Sequence, residues 1–452
     1  MRISELSLAD REAVLWECIG HLQALIRIES VNPPGNEIGV ARYLHDVLQK
    51  AGIGAQLLEP APGRGAVIAR IHGTGRKGAL LLMAHMDVVG VERDKWRQHP
   101  FSGEIADGYV YGRGAIDDKG MLATNLQAML LWQRAIEATG ERPDRDLVFL
   151  ATSDEEAGGR LGIQWVLDHH RDDIAADVAL NEGGRVRQRG GQRLYAAVQC
   201  AEKVPYNVVV TARGPGGHAS VPLAGNAIAR LSRAVARIAE HEEPLRLTPV
   251  TREFFRSLSV IWPDEALREA MADVASDDQA RVSRGAARLR QDPGLDATLR
   301  NGISPTLITG GLRSNVIPTE ASATLNVRML PDEPLADLIA RLTTVCDDPA
   351  IEFTVRSSGR VSPSSAIDTE AFAAIRRAVE RLDPGLITVP YLSTGATDSA
   401  ALREAGIACY GLLPFPLTEG DESRMHGHDE RVGVDAIGFG LWLTCAIVEE
   451  LS

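Results

Sequence analysis

At 452 residues the chain is longer than one ordinary hydrophobic core organises, so two domains are expected. Hydrophobic residues at 44% and charged residues at 24% give the balance of a soluble globular protein. A formal net charge of −13 argues against a nucleic-acid partner, which needs a basic surface, and no Lys/Arg-rich run suggests a membrane partner.

The N-terminal stretch MRISELSLADREAVLWECIGHLQALI threads charged residues through its apolar positions. It predicts an amphipathic helix, not a signal peptide. Nowhere do apolar residues run to the roughly 20 that span a bilayer. GAVIARI (65–71), ALLLMAHM (79–86), DLVFLATS (146–153) and DVALNEGG (177–184) are apolar runs of strand length, separated by helical patterns at 40–52, 120–140 and 161–170. This alternation predicts an α/β domain, with a mainly parallel sheet and helices on both faces. Residues 204–214 (VPYNVVVTARG) then alternate polar and apolar, as a strand with one exposed face does. A helix at 226–240, strands at 304–312 and 319–330, a helix at 334–346 and a strand at 351–357 complete a β-α-β-β-α-β order. That order is the ferredoxin-like split βαβ arrangement, an α+β domain inserted into the α/β one. Charged, Ala/Arg-rich helical sequence at 250–300 interrupts it. The α/β pattern resumes with a helix at 369–382, a strand at 407–415 and a last helix at 435–449. The expected segments are 1–203, the inserted domain 204–358, and 359–452. Five cysteines (Cys18, Cys200, Cys346, Cys409 and Cys445) are scattered and lack CxxC spacing. They suit reduced thiols in a cytoplasmic chain and exclude a thiolate zinc cluster.

In an open α/β sheet, ligands bind beyond the carboxyl ends of the strands. His85 and Asp87 follow ALLLMA, and Asp117 and Asp118 sit in the Gly-rich turn YGRGAIDDKG before a helix. Asp154, Glu155 and Glu156 follow DLVFLATS; Asn181 and Glu182 follow DVAL; His426 and His428 lie in MHGHDE. Singly, each has a structural explanation: a satisfied histidine, an acidic helix cap, a plain turn. Their coincidence at strand after strand points instead to a metal site of His and Asp/Glu. Such donors suit zinc, cobalt or manganese at a catalytic centre. The carboxylates outnumber the needs of one ion, so two ions sharing a bridging carboxylate are expected, with one glutamate of the Glu155–Glu156 pair left to move a proton.

Taken together, the motifs HMD, GRGAIDDKG, SDEEAGG, NEGG, GGHAS, SNVIP and MHGHDE resemble those of the cocatalytic-zinc amidohydrolases. That family includes acetylornithine deacetylase, succinyl-diaminopimelate desuccinylase, aminoacylase, glutamate carboxypeptidase and carnosine-type dipeptidases. The resemblance runs from VNPPGNE (31–37) to HGHDERV (426–432). It implies that Asp117 bridges two divalent metals, zinc first and cobalt or manganese as alternatives. His85 and Glu182 would complete one site, Glu156 and His426 the other. Glu155 would be the general acid/base, and Asp87 would hold the far ring nitrogen of His85. It also implies a cis peptide at Asp117–Asp118 and a lid that forms a homodimer. His218 would polarise the scissile carbonyl, while Asn315, Arg328 and the backbone near Gly395 contact substrate. His428, two residues beyond His426, is the competing ligand. The implied activity is hydrolysis of an amide bond beside a free carboxylate, by a carboxypeptidase or dipeptidase on short peptides. The alternatives are an N-acyl-amino-acid deacylase and a binding homologue without catalysis. A serine hydrolase has no G-x-S-x-G elbow to support it.

Overall fold

The computed structural model describes residues 6–452. The first five residues of the expected N-terminal helix lie outside these; the helix itself is Leu8–Arg27, capped by the Ser7 side chain. The chain divides into two units. One comprises the residues to Cys200 with Ser365–Tyr391 and Thr397–Ser452; the other is Ala201–Ser364 with Leu392–Ala396.

The first unit is built on an eight-stranded sheet, in the order 55–61, 64–71, 147–152, 80–85, 178–189, 408–417, 192–202, 387–393. Its centre is parallel: Leu80–His85 runs parallel to both Leu147–Thr152 and Val178–Arg189, and the last of these to Ala408–Leu417. The strands at 80–85 and 147–152 are buried at every position, because helices cover both faces and no side chain of either strand meets water. On one face Ile68, Leu81, Met83, Val148 and Leu150 pack with Ile163 and Val166 of the helix Ile163–His169 and with Leu402. The helix Lys119–Thr139 packs against Leu80–His85, and its residues from Lys119 to Leu131 are buried. Gly140 ends that helix at φ 74, donating its N–H to the Ile136 carbonyl, a left-handed cap that costs glycine little.

In the second unit the strands at 302–310, 320–329, 204–213 and 351–358 lie in that order, antiparallel throughout. Alternate residues of Glu320–Met329 are buried, and this face packs on the helices Ala227–Glu240 and Leu335–Cys346. Gly302–Gly310 pairs with one neighbour and leaves Leu307 and Ile308 exposed. Residues 249–296 form four helices; the Thr248, Asp264, Asp278 and Asp292 side chains each accept a backbone N–H at a helix start. Among the described residues no helix is long and apolar enough to cross a membrane.

Candidate metal centre

His85 is the last residue of its strand. Asp117 closes the Gly-rich turn before the helix Lys119–Thr139, across a cis peptide to Asp118. Glu156 lies in the turn after Leu147–Thr152. Glu182 does not end its strand, as its sequence suggests; the strand continues to Arg189. Gly183, at φ 131, makes the turn of backbone possible there: a Cβ would stand 1.7 Å from Gln199 Oε1. His426, at φ 59, comes from the loop before Arg431–Gly433.

These five side chains converge as two groups, His85–Asp117–Glu182 and Asp117–Glu156–His426, with ligand atoms within 4.8 Å of one another in each. The two Asp117 oxygens face different histidines: Oδ1 is 3.0 Å from His85 Nε2, and Oδ2 is 3.1 Å from His426 Nε2. Glu182 Oε1 stands 3.8 Å from His85 Nε2, and Glu156 Oε1 3.2 Å from His426 Nε2. Two donors bound to one tetrahedral ion at ~2.0–2.1 Å stand roughly 3.3 Å apart, so these spacings fit an ion in each group. Buried Glu156 Oε1 makes no hydrogen bond despite its closeness to the ring, which is the state of an atom placed for a cation. His428 turns away; its Nε2 is 2.9 Å from exposed Glu92.

The carboxylates distort titration in the metal-free protein. The Asp117 and Glu156 carboxylates beside its ring push His426 up to about 10. Burial opposes charge on His85, but the Asp117 and Asp87 carboxylates prevail and raise it well above the ordinary range. Burial, then the Asp117 charge, pushes Glu182 up to about 8. Burial and the Glu182 charge hold the Glu155 carboxyl well above the usual carboxylate range. A glutamate beside the site that keeps its proton more firmly than usual has the chemistry of a general acid.

Asp87 is placed differently from the sequence expectation. His85 Nδ1 is 3.0 Å from the Asp87 main-chain carbonyl and 3.6 Å from its carboxylate. The carboxylate instead accepts the backbone N–H groups of Glu155 and Glu156, at 3.1 Å each, and the Asn32 side-chain amide at 2.9 Å. Neighbouring Asp154, left-handed at φ 70, is held by Arg64 at 2.8 Å and by the Leu161 N–H at 2.9 Å. Arg64 also pairs with buried Glu37 at 2.9 Å. Sequence reasoning missed Asn32, Glu37, Arg64 and Asp154 as a network. Asn32 and Glu37 stand in VNPPGNE and Asp154 in SDEEAGG, but nothing in the sequence marks Arg64 as their partner.

On the second unit, His218 and Asn315 are brought together. The strand Gly217–His218 pairs with Val316–Ile317, Asn315 O accepts the Ala219 N–H, and both residues line an open groove of about 770 Å³. Exposed His218 has its Nδ1 2.7 Å from Ser220 Oγ. Arg328 does not line this groove; it sits near the other end of Glu320–Met329 with its Nε on Asn326. Gly395 donates its N–H to Ser393 Oγ.

Such a sheet, carrying two carboxylate–imidazole groups that share one aspartate, defines a metal-dependent hydrolase with a dinuclear centre. The model of peptidase family M20/M25/M40 matches residues 81–450, and the chain belongs to that family. It is 29% identical over 366 residues to an N-fatty-acyl-amino acid synthase/hydrolase of Xenopus tropicalis, covering 79% of this chain and 69% of the relative. A probable carboxypeptidase S-like protein of Dictyostelium discoideum is 28% identical over 375 residues, 78% of this chain and 68% of that one. The M20 family metallo-carboxypeptidase Sso-CP2 of Sulfolobus solfataricus shares the fold, with a TM-score of 0.69 at 19% identity over 96% of this chain and 98% of that one.

Proposed function

We propose that the chain hydrolyses the amide bond of a short peptide beside a free carboxylate, releasing an amino acid. The observation that carries this is the sharing of Asp117 between two metal-ligating groups with Glu155 alongside. Two divalent ions held by His85, Asp117 and Glu182 and by Asp117, Glu156 and His426 would acidify water and polarise the carbonyl. Zinc is the first candidate and cobalt or manganese the alternatives, because no thiolate or thioether takes part. Glu155 takes the proton of the attacking water and delivers it to the leaving amine. Its neighbour Glu156 is left to bind metal, with Oε1 3.2 Å from His426 Nε2, while the Asp87 carboxylate holds the backbone N–H groups of both glutamates. Asp87 also orients His85, through its carbonyl.

His218 would stabilise the oxyanion with Asn315 touching substrate in the same groove, while Arg328 and the backbone at Gly395 would receive the substrate carboxylate, for which a guanidinium is well shaped. We assign a homodimer built through the lid unit, supported by the exposed apolar edge at Leu307 and Ile308. Five buried free thiols suit a reducing, cytoplasmic setting. A second reading, N-acyl-amino-acid hydrolysis, is favoured by the named activity of the Xenopus relative; there the acyl group replaces the N-terminal residue of the peptide.

A panel of dipeptides, C-terminally blocked dipeptides and N-acyl amino acids, assayed with the zinc- and cobalt-loaded protein, tests both readings. Blocking the free carboxylate should abolish turnover, and equal rates on blocked substrates would defeat the proposal. Glu155→Gln should keep two ions per chain and lower kcat by ~10²–10⁴-fold.

A further inference from the structure

Glu430 is fully buried, four residues beyond His426, and no role in the chemistry above uses it. Its carboxylate accepts four hydrogen bonds. Oε2 takes the Arg113 guanidinium at 2.6 Å and the Gly114 N–H at 3.0 Å; Oε1 takes the Ile116 N–H at 2.8 Å and the Asp117 N–H at 3.1 Å. Arg113 in turn donates Nη2 to the Gly427 carbonyl at 2.7 Å. The Glu430 carbonyl accepts the Gly112 N–H at 2.9 Å, and Arg431–Gly433 pairs with Tyr109–Tyr111. One buried ion pair therefore ties the turn 112–117 to the loop 426–430. The first carries the aspartate shared by both metal-ligating groups; the second carries the imidazole of one of them. Breaking either partner of such a pair strands a buried charge, so the clamp has one low-energy arrangement.

We propose that Glu430, with Arg113, is the positioning residue that sets the shared Asp117 carboxylate against the His426 ring, and so governs metal occupancy of the Asp117–Glu156–His426 group. His85 and Glu182 stand outside the clamped loops on their own strands, so the other group keeps two of its three ligands untouched. The inference rests on the dinuclear reading given above.

Glu430→Gln keeps the shape but turns one acceptor oxygen into an amide donor facing N–H groups that need an acceptor. Zinc titrated calorimetrically into the metal-free full chain should show two ions in the wild type. In Glu430→Gln one ion should bind as before, and the other ~10–100-fold more weakly, the range for groups that orient metal ligands. The visible spectrum of the second cobalt equivalent should change with it, and kcat should fall while KM holds. Arg113→Lys keeps a charge for Glu430 but cannot also reach Gly427, and should weaken the same equivalent. It carries the test alone if circular dichroism shows Glu430→Gln unfolded. His428→Ala is the control in the same loop, since that ring bonds exposed Glu92.

Unchanged zinc affinity and cobalt spectrum in the folded variants would overturn the proposal, and so would equal weakening by His428→Ala. Fewer than two ions in the wild type would instead defeat the dinuclear reading, a separate failure.

Discussion

His426 and Glu182 each hold a proton in the metal-free fold that the unfolded chain gives up. The His426 value of about 10 and the Glu182 value of about 8 both lie above those of free side chains. A raised folded-state pKa contributes stability that is complete below the unfolded value and lost as pH rises through the folded one. For Glu182 that window runs from roughly 4.5 to 8, and for His426 from roughly 6.5 to 10. Asp117 has the opposite sign: burial resists its charge, but the two imidazoles lower its pKa, so its contribution fades only in acid. The metal-free protein is therefore expected to lose thermal stability steadily from about pH 5 to 9. His426 is half exposed, so solvent screening keeps its share small. Loading with zinc should flatten the slope, since bound ligands are deprotonated whatever the pH. Thermal midpoints measured with and without metal check this, and a metal-free midpoint that climbs over that range contradicts it.

At the scale of elements, the buried centre of the first unit was legible and its margins were not. ALLLMAHM and DLVFLATS are apolar throughout because both faces of those strands are covered, and the strands form at 80–85 and 147–152. The strand Ala55–Ala61 carries Glu59 and Pro60 at the sheet edge and shows no periodic burial. Ile387–Ser393, at the other edge, contains Pro390, which a sheet tolerates where no partner needs its N–H. Neither carries the signal of a central strand. For the candidate site, His85 and Glu156 stand at or just past the ends of apolar runs, Glu182 lies inside its strand, and Asp117 and His426 come from a Gly-rich turn and a loop. Residues acting through the backbone, Glu430 above all, were not legible, because a carboxylate that accepts main-chain N–H groups leaves no spacing to read. The lid edge yields its own prediction. Ile308 is 64% exposed on a strand with one partner. If the proposed homodimer pairs along this edge, Ile308→Lys should leave a monomer in sedimentation velocity without unfolding the second unit, since charge on an edge strand opposes pairing between copies.

The described residues form two units, and both candidate metal-ligating groups belong to one of them. A ligand that binds only the folded state stabilises it by about 4 kcal/mol at a thousandfold excess over its Kd. Chelation should therefore lower the unfolding temperature of the first unit by several degrees and leave that of the second unchanged. Calorimetry of the loaded and stripped protein resolves the two transitions. A common shift of both would show that the units unfold together.

The order of the ligands along the chain also bears on synthesis. His85, Asp117, Glu156 and Glu182 precede the inserted unit, whereas His426 follows it. On the proposed assignment a nascent chain acquires four of the ligands early but completes the second group only after the inserted unit has been made. The strand Ala408–Leu417, which lies beside Val178–Arg189 in the sheet, arrives just before that histidine. Occupancy of both proposed metal positions would then record that the late segment has threaded into its place between two early strands, and a truncated or misassembled copy would be marked by what it fails to retain.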